Sequence, residues 1–137
     1  MNSKNLVPQW VRIVIGLLAL ANIAFGLSNY FKFDTLFQNT QAGIDLSNAG
    51  AKFASYEFGA RNLAIGLALL IVALVGIPET IAIVTIIRAL IELQGIIIAC
   101  VAGTFDTGTL VAAVMLCVEV FVIKTMFDIV SKRDEKI

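Results

Sequence analysis

The chain has 137 residues, of which 59% are hydrophobic and 15% are charged, and its formal net charge at pH 7 is zero. A mean hydropathy of +0.93 excludes an ordinary soluble domain and places the chain in a membrane. A net charge of zero gives the chain no general attraction for the negatively charged backbone of a nucleic acid, so no nucleic-acid partner is predicted. The sequence has no histidine, which removes the usual zinc, iron and imidazole-base chemistries, so neither a metal site nor a cofactor is predicted.

Four apolar segments are each close to the ~20 helical residues that cross a hydrocarbon core of about 30 Å. They cover residues 9–30, 54–76, 79–102 and 107–130. The first segment is too long for a cleavable signal peptide and lacks a clear cleavage site, so we interpret it as a retained helix. The sequence therefore predicts an all-α fold, a four-transmembrane-helix bundle that forms a single integral-membrane domain over residues 1–137.

The first helix begins near Pro8, whose missing N–H costs little in a first helical turn, and it carries a polar stripe of Asn22, Gly26 and Asn29. The following segment, 31–53, is the only sizeable part predicted to lie outside the bilayer. Its aromatic and leucine residues indicate either an amphipathic anchor on the membrane surface or a lid over a cavity. The pattern leaves both readings open.

The second helix carries two distinct faces. One contains Glu57, Arg61, Ala64 and Ala68, and the other contains Gly59, Asn62, Gly66 and Ala73. Small residues allow close contact with another membrane helix, so the second face is a candidate docking surface. Gly76 ends this helix and Pro78 begins the next, which predicts a tight hairpin.

The third and fourth helices also concentrate polar residues on one stripe. On the third helix the stripe consists of Arg88, Glu92, Gly95, Ala99 and Ala102, and on the fourth of Ala112, Met115, Glu119 and Met126. The turn between these helices is short, and Asp106 is a good cap for the fourth. Short connections predict that helices 2, 3 and 4 are antiparallel neighbours.

Charged side chains of three helices are predicted to lie at one level of the membrane. Folding the chain at its two tight turns places Arg61 within about 3 Å of the level of Glu92 and places Glu119 between Arg88 and Glu92. An isolated charge at the bilayer centre costs about 2.5–3.5 kcal/mol or more. We therefore expect two ion pairs, Arg61 with Glu92 and Arg88 with Glu119, with Glu57 nearer the outer rim.

This charged layer suggests acid–base chemistry, because three carboxyl groups face two guanidinium groups. A surplus carboxyl group in a low dielectric favours its neutral form, which can donate a proton. The candidate catalytic residues are Glu92 and Glu119 for proton transfer and Arg61 and Arg88 for orientation. The candidate substrate-binding residues are Asn22, Asn29 and Glu57. A structural lock that keeps the helices in register is the alternative reading.

Three segments, VRIVIGLLALANIAFGLSNYF, FGARNLAIGLALL and RALIELQGIIIACVAG, resemble the DoxX-like superfamily of small four-helix membrane proteins. The likeness is to uncharacterised subfamilies with Gly-x-Arg-[Asp/Asn] at the start of helix 2 and Arg-x-x-x-[Asp/Glu] in helix 3. These motifs correspond here to Gly59, Arg61 and Asn62, and to Arg88 and Glu92. The resemblance implies a bundle with a polar interior and functions that range from respiratory accessory subunits to receptor-assembly chaperones.

Two classes of function follow as expectations. The first is a membrane-embedded isomerase or cyclase, or a ligand-binding protein, acting on a hydrophobic small molecule such as a terpenoid, sterol-like or quinone-like compound. The second is a non-catalytic accessory subunit or assembly chaperone that contacts membrane lipid and binds either another membrane protein or further copies of itself. A proton-coupled transporter is a weaker third reading, because no inverted repeat is visible.

The basic residues predict the orientation of the bundle in the membrane. Those that flank the two chain ends are Lys4, Arg12, Lys132, Arg133 and Lys136, while the long first loop holds Lys32 and Lys52. By the positive-inside rule, both termini of this integral membrane protein are expected in the cytoplasm.

Overall fold

A computed structural model describes residues 7–31 and 49–135. They form four helices, α1 (Gln9–Phe31), α2 (Ala49–Val75), α3 (Pro78–Ala102) and α4 (Thr107–Asp134). All four are long and apolar enough to cross a membrane, and the described ranges contain no strand. The predicted all-α membrane bundle is confirmed.

The helix bounds differ from the prediction at the start of α2 and at the end of α4. The second helix begins at Ala49, so residues 49–53, which were expected in the loop, are helical. The fourth helix continues to Asp134 and does not end near residue 130, because helical hydrogen bonding continues past the apolar stretch. The remainder of the predicted anchor or lid, residues 32–48, lies outside the described residues.

Two glycines with positive φ set the tight turns between helices. Gly76 (φ +70°) separates α2 from α3, and Gly103 (φ +67°) follows α3. Both occupy the left-handed region that favours glycine. Asp106 then caps α4, because its side chain accepts a hydrogen bond from the backbone N–H of Thr109 at 2.9 Å. These turns make α2 antiparallel to α3 and α3 antiparallel to α4, and they define a Gly76 end and a Gly103 end of the bundle.

Glycines form a close seam between α1 and α2. A Cβ atom added at Gly66 would lie 2.9 Å from the backbone nitrogen of Ile23 and 3.0 Å from the carbonyl oxygen of Ala19, and Gly26 and Gly59 are equally confined. Only glycine fits such an approach. The small-residue face of α2, which was predicted as a docking surface for other proteins, therefore packs against α1 of the same chain.

Arg12 of α1 reinforces this pairing at the Gly76 end. Its Nε donates to the carbonyl oxygen of Ala73 at 2.9 Å and its Nη2 donates to that of Leu74 at 3.2 Å. The last carbonyl groups of a helix have no partner within the helix. The guanidinium group thus supplies hydrogen bonds and a favourable positive charge at the C-terminus of α2.

The hydrophobic core occupies the half of the bundle nearer the Gly76 end. All four helices contribute to it, with Val11, Ile15, Leu18, Leu69, Ile81, Val122 and Met126 among the buried residues. Towards the Gly103 end, no residue of α3 beyond Glu92 is buried. The packing around α3 therefore ends about halfway along this helix.

Candidate functional site

Arg88 connects α3 to α4 through two carboxylates. Its Nη2 lies 2.6 Å from Oε1 of Glu92, one turn further along α3, and its Nη1 forms an ion pair with Oε1 of Glu119 on α4. The predicted pair between Arg88 and Glu119 is therefore present. We refer to Arg88, Glu92 and Glu119 as the charged cluster.

Burial differs among the members of the charged cluster. The side chain of Glu119 is 0% exposed and that of Arg88 is 8% exposed, whereas that of Glu92 is 23% exposed. Arginine remains protonated in proteins, so the cluster carries one excess negative charge when both carboxyl groups are ionised. Glu92 is the member that a molecule outside the chain can reach.

Buried atoms of Arg88 and Glu119 lack hydrogen-bond partners among the described residues. They are Nε and Nη1 of Arg88 and Oε1 and Oε2 of Glu119, of which Nη1 and Oε1 face each other in the ion pair. Buried polar atoms are nearly always paired in folded proteins, and each exception calls for an explanation. Because these atoms are buried, a polar group from outside the chain meets the cluster at Glu92.

The position of the charged cluster follows from the length of α3. Arg88 lies ten residues after Pro78, which corresponds to about 15 Å along the helix axis. The cluster is therefore deep within the span, at the border between the packed core and the exposed part of α3. This border is where the partial exposure of Glu92 arises.

Asn22 and Asn29 form hydrogen bonds within the α1–α2 pair. Asn22 is buried and its Nδ2 donates to the carbonyl oxygen of Leu18 at 2.8 Å. Asn29 accepts a hydrogen bond from Ser55 Oγ at 3.0 Å and donates to the carbonyl oxygen of Phe25 at 2.7 Å. No hydrogen bond joins either asparagine to the charged cluster in the described residues, and their role in substrate binding stays a prediction.

Arg61 does not join the charged cluster, so the expected ion pair between Arg61 and Glu92 is wrong. Arg61 is exposed and its guanidinium carbon lies 5.3 Å from the centre of the Phe58 ring. Glu92 instead pairs with Arg88 on its own helix. The physical reason is that α2 and α3 share only a small interface, so the levels of Arg61 and Glu92 agree but their side chains do not meet. Glu57, one turn before Arg61, is also exposed.

An apolar groove of about 170 Å³ lies between α1 and α4, and its lining consists of Val14, Leu17, Leu18, Ala21, Met115 and Val118. Val118 directly precedes Glu119 in the chain, and Met115 lies one turn earlier. The sequence did not predict this groove, because it depends on how α1 packs on α4. In the sequence, the only feature that pointed to this region was the stripe on the fourth helix that includes Met115. The groove offers apolar surface without polar groups, which suits a hydrocarbon chain.

No model of a known protein family, no curated protein and no solved structure matches the chain. The resemblance to the DoxX-like superfamily therefore stays a prediction based on short motifs. The structure places the motif residues in different surroundings. Gly59 packs against α1, Arg61 is exposed, and Arg88 and Glu92 are paired with each other.

In the described ranges, no three histidine, cysteine, aspartate or glutamate side chains are grouped so as to hold a metal ion.

Proposed function

We propose that the protein binds a hydrophobic small molecule within the bilayer and holds its polar group at the charged cluster. The observation that carries this proposal is that Arg88 is shared by two carboxylates, of which Glu92 is partly exposed and Glu119 is fully buried. Ionisable groups in a membrane interior are costly and commonly serve a function. The partly exposed carboxyl group of Glu92 can accept a hydrogen bond from a hydroxyl or amine group of a ligand and, in its neutral form, donate one to a carbonyl group.

We further propose that the bound molecule undergoes acid–base isomerisation or cyclisation. In this reaction Glu92, as the reachable acid, gives a proton to an alkene, epoxide or carbonyl group of the substrate. The carboxylate that Glu92 becomes then removes a proton from a neighbouring carbon, and Arg88 stabilises the negative charge that develops on Glu92. Glu119 keeps Arg88 in place through their ion pair. The substrate gains and loses one proton, so no co-reactant is needed, and Glu92 ends the cycle in its starting form. Arg61 has no part in this scheme because it lies outside the cluster.

Mass spectrometry of lipophilic molecules that stay bound to the purified protein tests the binding proposal. The protein should retain a defined compound, and Glu92→Gln should release most of it while the fold is preserved. Glu79→Gln is the matched control, because Glu79 forms an ion pair with Arg133 at 2.5 Å near the Gly76 end, away from the cluster. Equal retention by the two variants, or no retained compound at all, would contradict the proposal.

Once a compound is identified, turnover tests the catalytic step separately. The purified protein should convert the compound or a close relative, and Glu92→Gln should abolish the conversion. Binding without conversion would leave a ligand-binding protein and refute the isomerase or cyclase role.

We propose that both termini lie in the cytoplasm. Arg12, Lys132 and Arg133 gather at the Gly76 end, which supports this orientation. Reporter fusions at the two chain ends and an accessible cysteine in the Gly103 turn would test it. Labelling of that cysteine only from the cytoplasmic side would contradict it.

The non-catalytic alternative, an accessory subunit or assembly chaperone of the DoxX-like type, has less support. The bundle with buried polar groups agrees with what that resemblance implies, but the small-residue face expected to bind partners is covered by α1. Purification in a mild detergent distinguishes the two roles, since an accessory subunit should co-purify with a larger membrane protein.

A further inference from the structure

Two charged side chains of α2 lie on a face that none of the four described helices covers. Glu57 and Arg61 are both exposed, and neither forms an ion pair with any described residue. The Cα atom of Arg61 lies 14 residues before Val75 at the end of α2, about 21 Å along the helix, which is inside a hydrocarbon core of about 30 Å. Glu57 lies one turn nearer the outer rim. An unpaired charge within the core is unfavourable in lipid.

The uncovered face is opposite the seam with α1. At 100° per residue, Glu57, Arg61, Ala64 and Ala68 fall within about 60° of one another and about 180° from the glycines of the seam. Ala64 is exposed and Ala68 is partly exposed. We refer to these four residues as the outer face of α2.

We propose that the outer face of α2 binds the same face of a second copy of this chain, with Arg61 of each copy paired with Glu57 of the other. This interface is independent of the proposed ligand site. Two copies inserted in the same orientation are related by a two-fold axis along the membrane normal, so their α2 helices run parallel. In such an interface residue i contacts residue j while j contacts i. A face that carries one positive and one negative side chain is then complementary to itself.

The observed conformation of Arg61 supports this register. Its guanidinium carbon lies 5.3 Å from the centre of the Phe58 ring, so the side chain extends towards the N-terminal end of α2, in the direction that helical side chains lean. The charge therefore lies near the level of Glu57, although the Cα atoms are one turn apart. In a parallel pair, Glu57 of the second copy lies at that same level.

Alanine side chains allow the two α2 helices to approach closely enough for these ion pairs. Ala64 and Ala68 continue the same face towards the Gly76 end, where small residues spaced four apart are typical of packed membrane helices. A lipid phosphate could pair with Arg61 but would repel the nearby Glu57. A second copy pairs both charges at once, which is why it is the favoured occupant.

Disulfide cross-linking of the full-length protein in membranes tests this interface. Cys100 and Cys117 are both free and exposed, so they are first replaced by alanine. In this background, Ala64→Cys should give a covalent dimer on mild oxidation, because Ala64 lies near the proposed two-fold axis. Ile98→Cys is the matched control. Ile98 is an exposed side chain of α3, and no dimer is expected from it.

Charge reversal then tests the predicted ion pairs. In the Ala64→Cys background, Glu57→Arg and Arg61→Glu should each lower the dimer yield at least about tenfold, a change that corresponds to about 1.4 kcal/mol. The double reversal Glu57→Arg with Arg61→Glu should restore it, because the pairs re-form with exchanged partners. Unchanged helix content in circular dichroism checks that each variant folds.

Four outcomes would overturn the proposal. In the first, Ala64→Cys yields no dimer in membranes that contain the folded protein. In the second, the double reversal fails to restore a yield that the single reversals abolished. In the third, native mass spectrometry shows only monomers that lose a bound anionic lipid on Arg61→Glu, which would assign Arg61 to a phosphate group. In the fourth, Ala64→Cys cross-links only to a different protein, which would exclude a second copy as the occupant.

Discussion

Replacing Arg88 by methionine removes the guanidinium group that pairs with both carboxylates of the charged cluster. Glu119 would then be a fully buried carboxyl group with no charged partner among the described residues, since its ion pair is with Arg88. Removing one partner of a buried ion pair typically costs about 3–5 kcal/mol, because the remaining charge keeps its desolvation penalty. We expect Arg88→Met to lower the free energy of unfolding by an amount in this range.

Glu119→Leu should cost less than Arg88→Met, because the structure gives Arg88 a second partner. Its bond to Glu92 at 2.6 Å remains after Glu119 is removed, so we expect a loss of about 1.5–3 kcal/mol, the usual value of a charged hydrogen bond. In the double variant, Arg88→Met with Glu119→Leu, apolar side chains replace the whole pair. Such replacements are often neutral, so the double variant should be more stable than Arg88→Met alone by about 2 kcal/mol or more.

Titration of the purified protein with a denaturing detergent, followed by circular dichroism, measures these differences. Arg133→Met is the control, because it breaks the partly exposed pair of Arg133 with Glu79, whose side chains are 35% and 37% exposed. A pair of this kind contributes at most about 1 kcal/mol. Additive effects in the double variant, or equal losses in Arg88→Met and Arg133→Met, would refute the idea that the charged cluster holds α3 against α4.

Three further predictions concern the framework around the site. In the same titration, Gly66→Ala should lower stability by about 1–3 kcal/mol because its Cβ meets the backbone of α1, whereas Gly95→Ala, with open space around it, should be neutral or stabilising. The backbone N–H of Thr109 holds the pKa of Asp106 below its ordinary value of 3.8. The stability that this cap contributes should therefore be present above that value and be lost as the pH falls through the lowered pKa. Asp106→Asn should remove this pH dependence from melting temperatures measured from pH 2 to 6. Arg12→Leu should cost about 1–3 kcal/mol, because it leaves carbonyl groups at the end of α2 unpaired, and a shift no larger than that of Lys132→Leu would contradict this.

Hydropathy predicted the number of helices and most of their ends, because the bilayer imposes both the length and the composition of a span. It misplaced the start of α2, which begins at Ala49 and not at residue 54. The reason is physical. Lys52 lowers the mean hydropathy, but backbone hydrogen bonds continue the helix past the apolar stretch. Hydropathy locates the apolar part of a span, whereas helix ends depend on capping and on local hydrogen bonds.

The charged cluster could be predicted in part, because the levels of residues on joined helices follow from their distance to a tight turn. That reasoning correctly placed Glu119 beside Arg88. It failed for Arg61, because the level of a residue does not tell how far apart two helices lie. Glycines bring α2 close to α1, and its interface with α3 is small. The distance between two helices depends on how all four helices pack together. The polar stripe of a single helix does not reveal that packing.

The two groups of intramembrane charge differ in what remains unsatisfied. If the outer face of α2 pairs with a second copy, Glu57 and Arg61 are both neutralised and that face has nothing left to bind. The charged cluster differs, because its two carboxyl groups share one guanidinium, and Arg88 Nε and Glu119 Oε2 lack hydrogen-bond partners within the described residues. Reversing charges on α2 should therefore change the oligomeric state without changing the retained lipophile, whereas Glu92→Gln should do the opposite. A lipophile that is lost with Arg61→Glu and kept with Glu92→Gln would move the ligand site to the outer face of α2.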